Sequence, residues 1–155
     1  MVLKDQNSEA RNGKQYDIRS FKVAKFSKGC AGNEIKGVGC VYVLPSYSPI
    51  KGGSEEMKKW DPKYDAGGYT DDNYWAGAKK ACDDVGMSLP DKSTLRSLAW
   101  KTTAEKEQLG LPNRGWFWSS SAGLAHDVYL VDFRDGDTDI SFKYYSGNKV
   151  LCVGD

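Results

Sequence analysis

Four cysteines, Cys30, Cys40, Cys82 and Cys152, constrain the fold of this chain more than any other feature. Their number is even, no Cys-x-x-Cys occurs and the sole histidine is His126, so the spacing fits no zinc pattern and reads as disulfides. Three pairings are possible on paper. Cys30 with Cys40 is the local one, across a glycine-rich stretch (Gly29, Gly32, Gly37, Gly39) suited to a hairpin, and it leaves Cys82 for Cys152. Closing the short loop would constrain the unfolded chain by roughly 3 kcal/mol and the long one by roughly 4 kcal/mol, a useful supplement where Leu, Ile and Val are sparse. Disulfides imply an oxidising, extracytoplasmic location, whereas four buried free thiols would imply a reducing one.

The second constraint is periodicity. Tyr74, Ala78, Ala81, Cys82 and Val85 recur at spacings of three and four, which predicts a helix with Cys82 on its buried face. Thr70 is placed to cap it, with Asp71 and Asp72 in the first turn, and Gly86 is a left-handed stop. Asp91 caps a second helix whose apolar stripe is Leu95, Leu98 and Ala99. Thr102 and Glu105 form a capping box for a short third helical turn ending near Gly110. Phe21 and Val23 alternate with Lys22, and Val41 and Val43 flank Tyr42, which predicts two strands pairing around the Cys30 to Cys40 turn. Between residues 45 and 68, three prolines and two Gly-Gly pairs mark a long connection. Residues 129–133 and 138–142 flank the turn Arg134-Asp135-Gly136-Asp137 and form a second hairpin, and residues 150–153 supply a last strand that returns Cys152 to the first helix. Residues 1–16 are polar and expected to be a flexible leader, and 17–155 to form a single domain.

Composition narrows the function. Twenty-two basic residues against 21 acidic ones leave a formal charge of +1, so no field draws in nucleic acid or an anionic membrane. No run reaches the length of a membrane span, and the first residues lack the apolar core of a signal peptide. Asp132, Asp135, Asp137 and Asp139 lack the spacing of an EF-hand loop and read as a solvated hairpin tip with no metal. Ser119, Ser120 and Ser121 read as hydrogen-bonding scaffold after an aromatic strand, the alternative being a nucleophilic serine, and His126, the one imidazole through which a catalytic triad could form, reads as a loop or ligand-facing residue. Phe117 and Phe133 are expected in the core, while adjacent Tyr144 and Tyr145 cannot both point inward on a strand.

The stretch from Tyr74 to Cys82, with Gly86 and Leu89-Pro90 after it, resembles the first-helix pattern of C-type lectin-like domains. Phe117-Trp118-Ser119-Ser120-Ser121, Val131-Asp132-Phe133, Asp135-Gly136, Lys143 and Val150-Leu151-Cys152-Val153 resemble the carboxyl half of bacterial lectin-like domains of the Lcl type and of the variable proteins of diversity-generating retroelements. The resemblance covers about residues 69 to 154. It implies an α+β C-type lectin-like fold, two helices packed on short, mostly antiparallel strands with long loops, preceded by a disulfide-closed hairpin. In that fold the helix cysteine pairs with one in the last strand, in agreement with Cys82 and Cys152.

The resemblance implies a binding protein and no enzyme. The acidic-Pro-Asn loop and Trp-Asn-Asp strand of calcium-dependent lectins are missing: Leu111-Pro112-Asn113 lacks the acid and Trp118 is followed by serines. Formylglycine-generating relatives need reactive cysteines, which disulfide pairing denies. The expected ligand surface lies within 116–149 and comprises Ala122, Leu124, His126, Asp127, Tyr129, Arg134, Asp137, Asp139, Ser141, Phe142, Tyr144, Tyr145 and Ser146. Aromatics anchor and charges orient, as in antibody loops. The partner expected is a protein or glycan on another cell or surface, met by a receptor or adhesin outside the cell, on a pilus or on a phage particle, with no cofactor, no nucleic acid and no membrane insertion by this segment. Many of these residue types are reachable by adenine mutagenesis of Asn-type codons, as in retroelement-diversified proteins; the alternative is a surface of fixed sequence. A pilin-like head domain is the structural alternative.

Overall fold

A computed structural model describes residues 30, 32–64, 72–123 and 127–154. The expected leader, the strand at Phe21 and Val23, the cap at Thr70 and the acidic Asp71 lie outside the described residues, as do Leu124 and His126. The chain runs β1 (Asn33–Ile35), β2 (Gly39–Val43), β3 (Ile50–Lys51), α1 (Glu55–Trp60), β4 (Asp72–Asn73), α2 (Tyr74–Asp84), α3 (Lys92–Ala99), α4 (Thr103–Gln108), β5 (Trp116–Ala122), β6 (Asp127–Asp132), β7 (Thr138–Phe142) and β8 (Leu151–Gly154). It is an α+β fold with four helices and three small antiparallel sheets among the described residues, ordered β1-β2-β8, β3-β4 and β5-β6-β7. No helix among them is long and apolar enough to cross a membrane.

Both disulfides form, Cys30 with Cys40 and Cys82 with Cys152. The first hairpin differs from its expectation. The partner of β2 is Asn33–Ile35, inside the Cys30–Cys40 loop, turned through Gly37 at φ +84° and closed by the Val38 amide on the Ile35 carbonyl at 3.0 Å. β8 occupies the other side of β2. The connection after Pro45 also departs from expectation, because Ile50–Lys51 pairs with Asp72–Asn73 and Ser54 nucleates α1. The Ser54 hydroxyl accepts from the Met57 amide, with Glu55 and Glu56 at the positive end of the helix.

Helix α2 starts later than the sequence suggested. Asp72 belongs to β4, and the cap is Asn73, whose side-chain oxygen accepts from the Ala76 amide at 2.8 Å. Gly86 follows α2 at φ +73°, Asp91 caps α3, and Thr102 with Glu105 closes a capping box on α4, as expected.

The sheet β5-β6-β7 is covered on both faces. Trp118, Val128 and Leu130 join Trp75, Ala78 and the Cys82–Cys152 disulfide in one core, and Phe117, Val131 and Phe133 join Leu95, Leu98 and Leu151 in a second. α2 meets the segment before β3 so closely that a Cβ on Gly77 would stand 1.9 Å from the Ser48 carbonyl oxygen, which only glycine permits. The Cys82–Cys152 bridge joins α2 to the last strand across 70 residues of chain, inside the first core. Replacing both cysteines by alanine is expected to remove about 4 kcal/mol and lower the melting temperature by about 10 °C or more, read by thermal denaturation followed by circular dichroism.

Candidate functional site

The β6–β7 hairpin places the expected surface residues at its two ends. Asp127 pairs with Phe142, Tyr129 with Ile140 and Val131 with Thr138, so these residues share one face. α3 covers the Val131 end of that face through Leu95 and Leu98. At the other end the Lys92 ammonium lies over the Tyr129 ring, 4.1 Å from its centroid, and beyond it Phe142 is 44% exposed and stacks on Tyr144 with centroids 5.1 Å apart and planes 4° from parallel. Tyr145 is 59% exposed, Ser146 is exposed and Ala122 closes the same end of the sheet. Tyr144 and Tyr145 sit past the end of β7, and Tyr144 is half-buried while Tyr145 is not.

This aromatic segment is clamped at both ends by buried polar groups. Between Phe142 and Tyr144, Lys143 turns inward and its ammonium pairs with Asp61 at 2.8 Å, both side chains buried. The Lys143 carbonyl accepts the Tyr74 amide at 2.7 Å, at the start of α2. Asp61 also accepts from the cap residue Asn73 at 2.9 Å, and the Lys143 and Lys79 ammoniums lie 4.6 and 4.2 Å from the centroid of the Trp75 ring. Burial pushes the Lys79 ammonium below the ordinary lysine range; Asp61 opposes this and Lys143 adds to it. Its folded pKa is the lower one, so its charge weighs against the fold at neutral pH and that penalty fades as the pH rises into the lysine range.

At the other end, buried Asn148 donates to the Ser141 hydroxyl at 3.0 Å, while its carbonyl accepts from the Tyr47 hydroxyl at 2.8 Å. Tyr47 in turn accepts from the Trp118 indole at 2.7 Å. Burial raises the Tyr47 phenol despite that bond, so the hydroxyl keeps the proton it donates.

The three serines behave as scaffold. β5 carries two more residues than β6 between the pairs Trp118–Leu130 and Ala122–Val128, and the bulge is tied by Ser119 Oγ to the Tyr129 carbonyl, by the Ser120 amide to the Pro90 carbonyl and by the Lys92 amide to Ser121 Oγ. The Trp75 indole donates to the Ser119 carbonyl at 2.7 Å.

Other expected site residues lie elsewhere. Ser141 is buried and supports Asn148, and Asp127 is buried with its carboxylate against Gly123. Arg134 and Asp137 are exposed in the turn at the far end of the hairpin, about 17 Å from Phe142 by the rise of the strand. Asp132, expected in a solvated tip, is buried instead: it pairs with Arg134 at 3.0 Å and accepts the Arg134 amide, organising the turn from inside. Asp139 is exposed and accepts from the Ile140 amide. No group of three or more His, Cys, Asp or Glu is placed to hold a metal ion among the described residues. A cleft of about 470 Å³ between the 44–50 segment and α2, lined by Tyr47, Pro49, Gly77 and Lys80 among others, contains none of the expected surface residues.

Sequence reasoning missed Ile140, 51% exposed on the same face as Phe142, and Lys92 over Tyr129. The alternation Thr138, Ile140, Phe142 carries the signal for Ile140; nothing local marks Lys92, which reaches Tyr129 only through the packing of α3. Lys143→Met should destabilise the fold by about 3 kcal/mol, because it leaves the Asp61 carboxylate buried without its cation. The double variant Asp61→Leu with Lys143→Met should cost less than the sum of the single changes by about 1 kcal/mol or more, measured as a double-mutant cycle in urea.

No curated protein matches the chain. A family model described as a domain of unknown function (DUF8780) matches residues 66–154, more than half of the chain and every element from β4 to β8, and the protein belongs to that family.

Proposed function

We propose that this chain is an extracytoplasmic binding domain of the C-type lectin-like kind, which engages a protein or glycan through the surface centred on Tyr129, Phe142, Tyr144, Tyr145, Ser146 and Ala122. The observation that carries this reading is the rigid presentation of the aromatic segment. Phe142, Tyr144 and Tyr145 reach the surface on a backbone fixed at one end by Lys143 and Asp61 and at the other by Asn148, Ser141 and Tyr47. Ordering side chains and loops is a main cost of association, and a segment ordered before the partner arrives avoids most of it. Aromatic rings lose little further freedom on contact, and Phe142 is already stacked on Tyr144.

Several features support the lectin-like comparison: α2 and α3 flank a small antiparallel sheet, and the α2 cysteine is bonded to the last strand. All four cysteines are in disulfides, which leaves no thiol for chemistry of the formylglycine-generating type and suits an extracellular or cell-surface setting. Retroelement diversification of the exposed positions belongs to the same proposal. Deep sequencing of one population should then reveal a near-repeat of the segment encoding residues 112–154 with differences at adenines, and a uniform gene without such a repeat would remove diversification while leaving the binding reading in place.

The binding reading is tested by screening the protein against glycan and cell-surface protein arrays and titrating the best ligand into variants. Tyr145→Ala should keep the unfolding free energy within about 0.5 kcal/mol of the parent and weaken ligand binding about ten-fold or more. Binding that survives the loss of both Tyr144 and Tyr145 would place the contact surface elsewhere.

A further inference from the structure

We infer that this chain closes an amide bond within itself, from the side-chain nitrogen of Lys143 to the side-chain carbonyl carbon of Asn73, with Asp61 carrying the protons. The inference does not depend on the ligand-binding reading. An amine, a carboxamide and a carboxylate converge in one buried place. A single Asp61 oxygen, Oδ2, accepts from Lys143 Nζ at 2.8 Å and from Asn73 Nδ2 at 2.9 Å. Two nitrogens on one oxygen stand about 5 Å apart by ordinary hydrogen-bond geometry. All three residues are buried, Asn73 completely. In such a place, moving one proton from Nζ to the carboxylate removes two charges that water does not hydrate. The Lys79 ammonium lies over the same Trp75 ring as Lys143, 4.2 and 4.6 Å from its centroid, and this neighbouring like charge favours the transfer.

The surroundings of Asn73 fit the steps that follow. Its Oδ1 accepts the Ala76 amide at 2.8 Å, a fixed donor at the oxygen where negative charge develops when a nucleophile adds to the carbon. Its Nδ2, the leaving group, touches the Asp61 oxygen that receives the Lys143 proton. The neutral Nζ adds to Asn73 Cγ, Oδ1 becomes an oxyanion on the Ala76 amide, and Asp61 gives its proton to Nδ2. The Cγ–Nδ2 bond then breaks, the new nitrogen gives its surplus proton back to Asp61, and ammonia carries that proton away as ammonium. One C–N bond forms, one breaks, nothing is oxidised or reduced, and the chain is lighter by one ammonia, about 17 Da. The flexible lysine stem supplies the closing movement to the roughly 3–3.5 Å that attack requires. The product ties the start of α2 covalently to the segment after β7.

The mass of the full chain, taken after denaturation and reduction of both disulfides, tests this directly. The expected mass is about 17 Da below that of the sequence. Trypsin should release one branched fragment joining residues 64–79 to 135–149, uncut after Lys143. Lys143→Arg keeps a cation for Asp61, and so the fold, but its guanidinium is no nucleophile, and this variant should show its full mass. Asp61→Asn, giving the circular dichroism of the folded parent, should do the same. A parent chain at full mass overturns the inference. So does a loss of about 18 Da, which is water and would join Lys143 to a carboxylate, or a loss of about 17 Da that persists in Lys143→Arg, as an imide at Asn12-Gly13 would give. A bond that still forms in Asp61→Asn would overturn the part given to Asp61.

Discussion

The Asp61–Lys143 pair is the interaction on which the arrangement of this molecule depends. Asp61 ends α1, Asn73 caps α2, and Lys143 follows β7, so three segments far apart in sequence meet at one buried carboxylate. A buried ion pair is a poor source of net stability, because removing two charges from water offsets much of their attraction. What it supplies is position. An apolar contact could slide by an ångström or rotate, whereas an ammonium held by one carboxylate and by the Trp75 ring cannot do so without leaving a charge unpaired. Helix α2 is therefore fixed at its start by the same group that fixes the segment after β7.

The rest of the frame follows from two-sided burial of a narrow sheet. The alternation in β6 sends Val128 and Leu130 to α2 and Val131 to α3, and the bulge in β5 keeps Ala122 in step with β6 after two surplus residues. In that bulge the Ser119 hydroxyl donates to the Tyr129 carbonyl, the Ser121 hydroxyl accepts the amide that opens α3, and the Ser119 carbonyl accepts the Trp75 indole of α2, so a polar seam joins the sheet to both helices. The candidate surface begins where α3 stops covering the sheet.

Much of this fold was legible in the residues, and the reasons are local. Cysteine parity with a glycine-rich turn gave the pairing of Cys30 with Cys40, and the caps at Asp91 and Thr102 were readable because a side chain there bonds an amide only three residues away. α1 was lost behind Pro45, Pro49 and Pro62, although Ser54-Glu55-Glu56 carries an ordinary capping signal. The start of α2 was misplaced because Asn73 is chosen by Asp61 and Met57, which reach it only in the folded chain. The same reason separates the site residues. Phe142 and Tyr145 are exposed as their chemistry suggested, but Asp127 and Ser141 are buried, and no sequence pattern shows a short polar side chain that its neighbours have enclosed. The match to the family begins at residue 66, close to where the resembling motifs begin, so the part that reads most clearly is also the part shared with other members.

The inward turn of Lys143 between Phe142 and Tyr144 has an evolutionary consequence. From Lys143 to Asn148 the chain must arrive at two fixed anchors, and between them Gly147 faces open space and Tyr145 and Ser146 face solvent. Side chains at the tip can be exchanged with little effect on folding, but inserting or deleting a residue would carry an anchor out of reach of its partner. The two anchors thus constrain the length of this segment more tightly than the identity of its exposed side chains.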